Sequence, residues 1–577
     1  MKITTKKRRA RELRVTDVLA LWRSPLDQVG VSAAEALANR QPRCSIGEGE
    51  DFSAMTIYNF AHYYIAASLD MATALTAMFT AMNPGPYTVG GLAFIPQLSY
   101  NNVFLSSTAF TVPDQCNIIG SGGGGSSGTL MTEFYHFTID YMAGSLFLNC
   151  TGNYTSGGKY FRSLAFHGTA LQSIGDTCIY ADTANCRVVN CTFTDIPIAF
   201  NAQGNGCTLE QCTIDYDGIH GTSTAPVTAV IIAGAQCAIL GPGELLQKPQ
   251  SKHGPAYCTC ISIEGAEHTV VADIHLSDWN IGVDFGATAG AADTDIRNCE
   301  IQCAQTALSI TLPSGATTAT SGVKVTSCML AKTSDSSVDD PMGHPVVVID
   351  PQGGSNSLLN DVTLLECTVF TMGSSTILGQ HGLDIVGGSN IKIIGGTYSN
   401  NSSHGGAGIA ITGACGNVHI IGANLQPTYP WTGTTMGSSL NDQQYGLLVS
   451  GGPIGTIYVS NCDLTGYTNT TPYVQQAVLV TGTAPHELLI SNCPGYNDQN
   501  THIRTTAPTG TASASSPGTG GAPYFGPSVF IFSNSGAVSL SVFGQTISTS
   551  FGIIFLPSPY DSFTFTTAPT MFLWIGK

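Results

Sequence analysis

Cys186-Arg187-Val188-Val189-Asn190-Cys191-Thr192-Phe193 is followed, 21 residues on, by Cys207-Thr208-Leu209-Glu210-Gln211-Cys212-Thr213-Ile214. Call the second cysteine of each unit X. Apolar or small residues stand at X−5 and X−3, a two-residue bend at X−2 and X−1, a compact residue at X, and another apolar residue at X+2. Two short strands of period 2 joined by a bend make the corner of a coil. A fixed repeat of this size, with one apolar face per strand, predicts a solenoid.

The frame extends along the chain with X at Ser121, Cys150, Thr169, Cys191, Cys212, Gly243, Ile274, Cys299, Cys328, Cys367, Gly396, Ala423, Cys462 and Cys493. A third apolar strand precedes most of these units, as in Gly382-Leu383-Asp384-Ile385 and Gly446-Leu447-Leu448-Val449. Three short strands per turn predict an all-β fold, a right-handed single-stranded parallel β-helix. Thirteen intervals of about 4.8 Å give a shaft of roughly 60 Å. Asparagine at X−1 suits a left-handed bend. The extra length of the longer units falls between X+2 and the third strand, so the long loops share one corner of the shaft. Loops on a rigid scaffold are where binding residues gather.

Composition fits this reading. Charged residues are 10% of the 577, against a usual ~25%, while 43% are hydrophobic. The net charge is −17, yet residues 1–43 hold ten Lys/Arg against four Asp/Glu, leaving −23 on the remainder. So acidic a body argues against nucleic-acid binding through its general field. Most of the 18 cysteines fall on inward repeat positions, which makes them small buried hydrophobes. Neither Cys258-Thr259-Cys260 nor Cys299/Cys303 has the spacing of a zinc site, and no cofactor or metal is expected. No apolar run approaches the ~20 residues of a membrane span, so no membrane insertion is expected.

Taken in order, residues 1–50 form a basic, partly helical arm, with Lys6-Lys7-Arg8-Arg9-Ala10-Arg11 and a capping box at Ser32-Ala33-Ala34-Glu35. Residues 51–115 hold an amphipathic helix at 68–82, with Leu69, Ala72, Leu75, Phe79 and Met82 on one face and Ser68 as cap. Residues 116–503 are the shaft and 504–522 a linker. Residues 523–577 alternate apolar and polar in five short segments, a small C-terminal antiparallel β module.

The stretch after the helix carries a resemblance. Gly91-Leu92-Ala93-Phe94-Ile95-Pro96, a strand ending in Ser106-Ser107, then Val112-Pro113 and Ile118-Ile119-Gly120 resemble the beginning of pectate-lyase-superfamily β-helices. They are especially similar to the form found in bacteriophage tailspikes and tail fibres. Pro569-Thr570-Met571-Phe572-Leu573-Trp574-Ile575-Gly576 likewise resembles the closing strand of some phage tail proteins. The resemblance implies a homotrimeric receptor-binding protein on the virion. Residues 1–50 would dock on other tail or baseplate proteins, and the shaft would bind, and in many relatives cleave, host surface polysaccharide. The lack of a signal peptide weighs against a secreted cellular lyase or hydrolase; a structural virion component without ligand is a third reading.

Glycoside hydrolysis needs two carboxylates at a set separation. Asp195 (X+4), Asp215 (X+3), Asp217 (X+5) and Asp278 (X+4) sit at the loop corner of nearby coils and are the candidate catalytic group, with turn-capping as their structural alternative. Tyr216, His220, Tyr429, Trp431, Asp442 and Tyr445 lie on the long loops and are the candidate carbohydrate-binding residues. His381-Gly382-Leu383-Asp384 fits an ordinary third strand, because the companion acidic motifs of polygalacturonases are missing.

Overall fold

The computed structural model describes residues 57–576 apart from several connecting stretches, the longest being 121–131, 217–225, 248–257, 334–342, 428–442, 497–509 and 514–527. The chain divides into Met1–Ile57 and Tyr58–Lys577. The basic arm and its capping box, in the first unit, lie outside the described residues. The helices and coils belong to the second.

Two helices, α1 (Phe60–Ala66) and α2 (Met71–Met82), precede the first coil. On α2, Ala74, Leu75, Met78, Phe79 and Met82 are buried while Thr73, Thr76 and Thr80 are exposed. The buried stripe joins the core of the coils: the Cys116 thiol donates to Met82 Sδ at 3.9 Å. The proposed cap Ser68, and Leu69, lie outside the described residues. A helix laid over the first coil covers apolar surface that no lower coil is there to cover.

Above it the strands stack in three columns, every one of them parallel. The first sheet runs from Leu92–Ile95 through Asn117–Gly120 and Tyr160–Arg162 to Arg187–Val189, Thr208–Glu210 and onward to Glu487–Ser491, fourteen parallel strands among the described residues, with Ile57–Asn59 paired onto the first of them. The second sheet follows each X, as in Leu164–His167, Thr192–Thr194 and Thr213–Tyr216. The third includes Thr177–Ala181, Ile198–Ala202, Val227–Ile232 and Cys258–Ile263. This is a parallel β-helix, whose crossovers between parallel strands take the right-handed sense as a rule. At about 4.8 Å per rung, fourteen rungs give the expected ~60 Å.

The total agrees, but one part of the frame does not. Cys150 ends the third-sheet strand Leu146–Cys150, paired with Thr177–Ala181, and Thr169 lies outside the described residues. The bend of that coil is at Ser163, which makes Leu164 its X. Cys150 imitates a corner in the sequence because a small inward residue serves equally well in any of the three sheets.

The bend itself follows the expected geometry. At X−1, Ser163, Asn190, Gln211, Asp273, Asn298, Ser327, Glu366, Asn461 and Asn492 all have φ between 51° and 58°. The cysteine at X does more than fill space. Cys212 Sγ lies 3.3 Å from the Glu210 carbonyl and 3.6 Å from that of Val188 one coil below. Cys299 and Cys328 repeat the pattern, at 3.2 and 3.6 Å and at 3.3 and 3.7 Å. The X−2 carbonyl stays in the ladder, as Glu210 accepts the Asn190 N–H at 2.9 Å, and its second lone pair is met by the small thiol donor. None of the seventeen described cysteines forms a disulfide, and all are buried. Burial pushes the thiols of Cys178, Cys260 and Cys303 far up, which keeps them protonated and inert.

At the C-terminus, the hairpin Ser528–Val542 and Gln545–Leu556 is antiparallel, and Ser562–Phe565 and Met571–Gly576 pair with its first strand. Gly510–Ser513 pairs with Ser562–Phe565, so part of the expected linker belongs to this sheet. Its Gly-Thr-Ala-Ser sequence carries too little apolar signal to stand out from the surrounding Ser/Thr/Gly run.

Candidate functional site

Of the expected catalytic aspartates among the described residues, Asp195 and Asp215 lie on adjacent rungs and Asp278 stands apart from them. Asp215 is half-buried and faces outward on the second sheet. Asp195, one coil below, sits at a bend with φ 56°, its N–H donating to the Asp215 carbonyl at 2.9 Å. Asp278, at φ 65°, is separated from Asp215 by the rung of Leu246, since Asp215 pairs with Leu246 and Leu246 with Ser277. Two rungs are about 10 Å. Aspartate at a left-handed bend is a common local solution, because a short polar side chain tolerates it. Asp217, His220, Tyr429, Trp431 and Asp442 lie outside the described residues.

Tyr216 is not at a carbohydrate surface. The alternation of Thr213–Tyr216 turns Ile214 and Tyr216 inward, and Tyr216 is fully buried. Its ring stacks on Trp279 at 5.9 Å and 11°. The bend at Asp278 turns the indole into the core, where Nε1–H donates to the Leu245 carbonyl at 2.9 Å. Tyr445 begins a third-sheet strand, half-buried, and burial raises its phenol pKa. His381 is a structural residue: Nδ1 accepts the Ala407 N–H at 3.2 Å, and burial pushes its pKa down to about 4.

What the fold does assemble is a groove of about 660 Å³ along the bend between the first and second sheets. One wall is the X−1 ladder of Asn190, Gln211, Asp273 and Asn298; the other is the X+1 ladder of Thr213, Glu244, His275 and Glu300. Pro242, Gly243 and Ile274 form the floor between them. The strand register shifts between Leu240 and Gly243, where this coil passes the corner without a regular bend. It passes close to its neighbour: a Cβ on Gly241 would overlap the Asp273 carbonyl, so glycine is required there.

Register orders the X+1 wall. Glu244 pairs with His275 and His275 with Glu300, on successive rungs. His275 Nε2 stands 3.8 Å from Glu300 Oε1, and the Gln302 amide donates to that same oxygen. Opposite, Asn298 Nδ2 donates to Asp273 Oδ1 at 3.3 Å. Asp215 lies two residues along the strand from Thr213, on the same outward face. The groove therefore offers amide, hydroxyl and carboxylate groups around a small apolar floor, a lining suited to a polyol. Glu244 and Glu300, two rungs apart, are about 10 Å apart at Cα, near the ~6.5–9.5 Å carboxyl separation of inverting glycoside hydrolysis.

Sequence reasoning seeks carboxylates where strands give way to loops and passes over those beside the bend. Acidic or imidazole side chains at X+1 of successive units are the signal that finds them. Among the described residues, no group of three or more His, Cys, Asp or Glu is arranged to hold a metal ion.

No protein-family model matches the chain, and no curated protein matches it. Among solved structures it is similar to tailspike proteins of E. coli bacteriophage HK620. A double mutant aligns at 10% identity and TM-score 0.49 over 97% of this chain and 100% of that one. A single mutant in complex with a pentasaccharide aligns at 9% identity and TM-score 0.49 over 97% and 99%. Similarity at this level adds nothing to the fold that the strand register establishes.

Proposed function

We propose that the chain is a phage tailspike or tail-fibre protein that attaches to host surface polysaccharide through the groove between the two bend ladders. The observation that carries this reading is the groove itself: hydrogen-bonding side chains at a fixed spacing of about 4.8 Å on a rigid shaft match the periodic hydroxyls of a glycan chain. The basic arm of residues 1–50 is read as the segment that docks on other tail or baseplate proteins. Assembly into a homotrimer is supported by the C-terminal sheet. There the edge strand Gln545–Leu556 exposes Ile547 (47%), Phe551 (57%), Ile553 (63%) and Phe555 (55%). Residues 505–576 contain one charged residue, Asp561, so copies of this sheet would meet without repulsion.

A depolymerase activity is the second part of the reading, favoured by the spacing of Glu244 and Glu300. Asp215, beside the groove, remains a candidate to assist. The test is binding of the full-length protein to purified lipopolysaccharides and capsular polysaccharides of candidate hosts, with reducing-end release measured in parallel. Glu300→Gln and Glu244→Gln should each weaken binding or cleavage at least about tenfold, the effect of one lost charge-assisted hydrogen bond. Undiminished binding and turnover in the double variant would remove the groove from the reading.

A further inference from the structure

We infer that the groove takes a glycan free of anionic sugars and excludes polymers carrying uronic or sialic acids. The inference rests on the glycan-binding reading of this groove. Three of its lining side chains are carboxylates, Glu244, Asp273 and Glu300, and none is a lysine or arginine. On the first-sheet rungs that carry the lining the two arginines are already engaged, and Arg162, on the rung below, is not among the lining residues. Arg187 Nη2 is 2.8 Å from Glu210 Oε2, and Arg297 Nη1 is 2.8 Å from Asp295 Oδ2. His275, the remaining basic group, has Glu244 on the rung below and Glu300 on the rung above, so its charge when protonated is matched locally.

A sugar carboxylate entering this groove would stand within a few ångströms of fixed like charges, with no lysine or arginine among the lining residues to pair with. A neutral sugar meets the same carboxylates as acceptors for its hydroxyls, and an ammonium-bearing sugar meets them as counter-ions. The remainder of the chain adds to the discrimination, since it carries −23 outside residues 1–43. Repulsion across a Debye length of about 8 Å at physiological salt is enough to bias the encounter as well as the bound state.

The test uses the full-length protein and pairs of polymers: a uronic-acid-containing capsular polysaccharide and the same polymer with its carboxyls reduced to alcohols, beside neutral and amino-sugar-containing lipopolysaccharides. Every polymer bound through the groove should be neutral or amine-bearing. Where a reduced polymer binds, its unreduced parent should bind at least about tenfold more weakly, the gap closing at about 1 M salt. The triple variant Glu244→Gln/Asp273→Asn/Glu300→Gln should narrow that gap, a gain that misfolding cannot mimic. Tight binding of a uronate- or sialate-bearing polymer that the triple variant weakens would overturn the inference while leaving glycan binding intact. Failure of every polymer to bind would overturn the glycan-binding reading, and this inference with it.

Discussion

Asn298 tests why the corners of this shaft are built as they are. Its φ is 52°, and its side chain donates to Asp273 Oδ1 at 3.3 Å. Holding a residue with a Cβ in the left-handed region costs about 1–2 kcal/mol, of which asparagine recovers a part through local hydrogen bonding. Asn298→Ala keeps the Cβ and loses only the recovered part, so it should cost on the order of 1 kcal/mol. Asn298→Gly removes the steric penalty along with the exposed hydrogen bond and should stay within about 0.5 kcal/mol of the parent. Because a solenoid is stabilised rung by rung, the effect should be local. The suitable assay is native-state hydrogen exchange at the amides bonded around this corner, Asn298 N–H to Thr326 and Met329 N–H to Cys299. In Asn298→Ala they should exchange about fivefold faster, since about 1 kcal/mol is a factor of five, with little change in Asn298→Gly. Equal protection in the two variants would refute the backbone argument and leave only the side-chain bond.

Further outcomes are expected in the core and the third sheet. Burial, opposed by a hydrogen bond from Thr412 at 2.6 Å and reinforced by the nearby Asp350, pushes Asp384 up to about 6. A folded pKa above the unfolded ~3.9 means the native state holds the extra proton between about pH 4 and 6, so stability falls as pH rises through that window. Asp384→Asn should therefore gain stability over the parent on the order of 2 kcal/mol at pH 7 and nothing near pH 4; a pH-independent difference in denaturation sinks the idea. Trp279→Ala removes a fully buried indole, its stacking on Tyr216 and its bond to Leu245, and should cost about 3–5 kcal/mol in equilibrium unfolding. The milder Tyr216→Phe should leave glycan binding unchanged in a direct binding assay, since the ring faces the core.

The repeat is legible because inward positions recur at short range. Val188, Leu209 and Ile239, or Phe193 and Ile214, are all buried at the positions their spacing assigns, and the left-handed X−1 bends follow from Asn, Asp and Ser standing there. The site is less legible. Tyr216 reads as a loop aromatic because its unit ends beside a long insertion, yet one more step of the period-2 strand turns it inward. Asp278 stands two coils from Asp215, as the repeat frame counts it, with the rung of Leu246 between them.

Sequence alone determined that this chain is a stack of three-strand coils and that its cysteines belong to the interior. Those properties are local: a period, a bend residue and an apolar face are each encoded within one unit of the repeat. Only the tertiary structure decided which outward side chains share a surface. Glu244, His275 and Glu300 are 31 and 25 residues apart in sequence, and they meet because register stacks one X+1 position on the next. The length of each intervening loop does not disturb that alignment, since the rungs pair through the backbone, and so no spacing along the chain could have announced the groove.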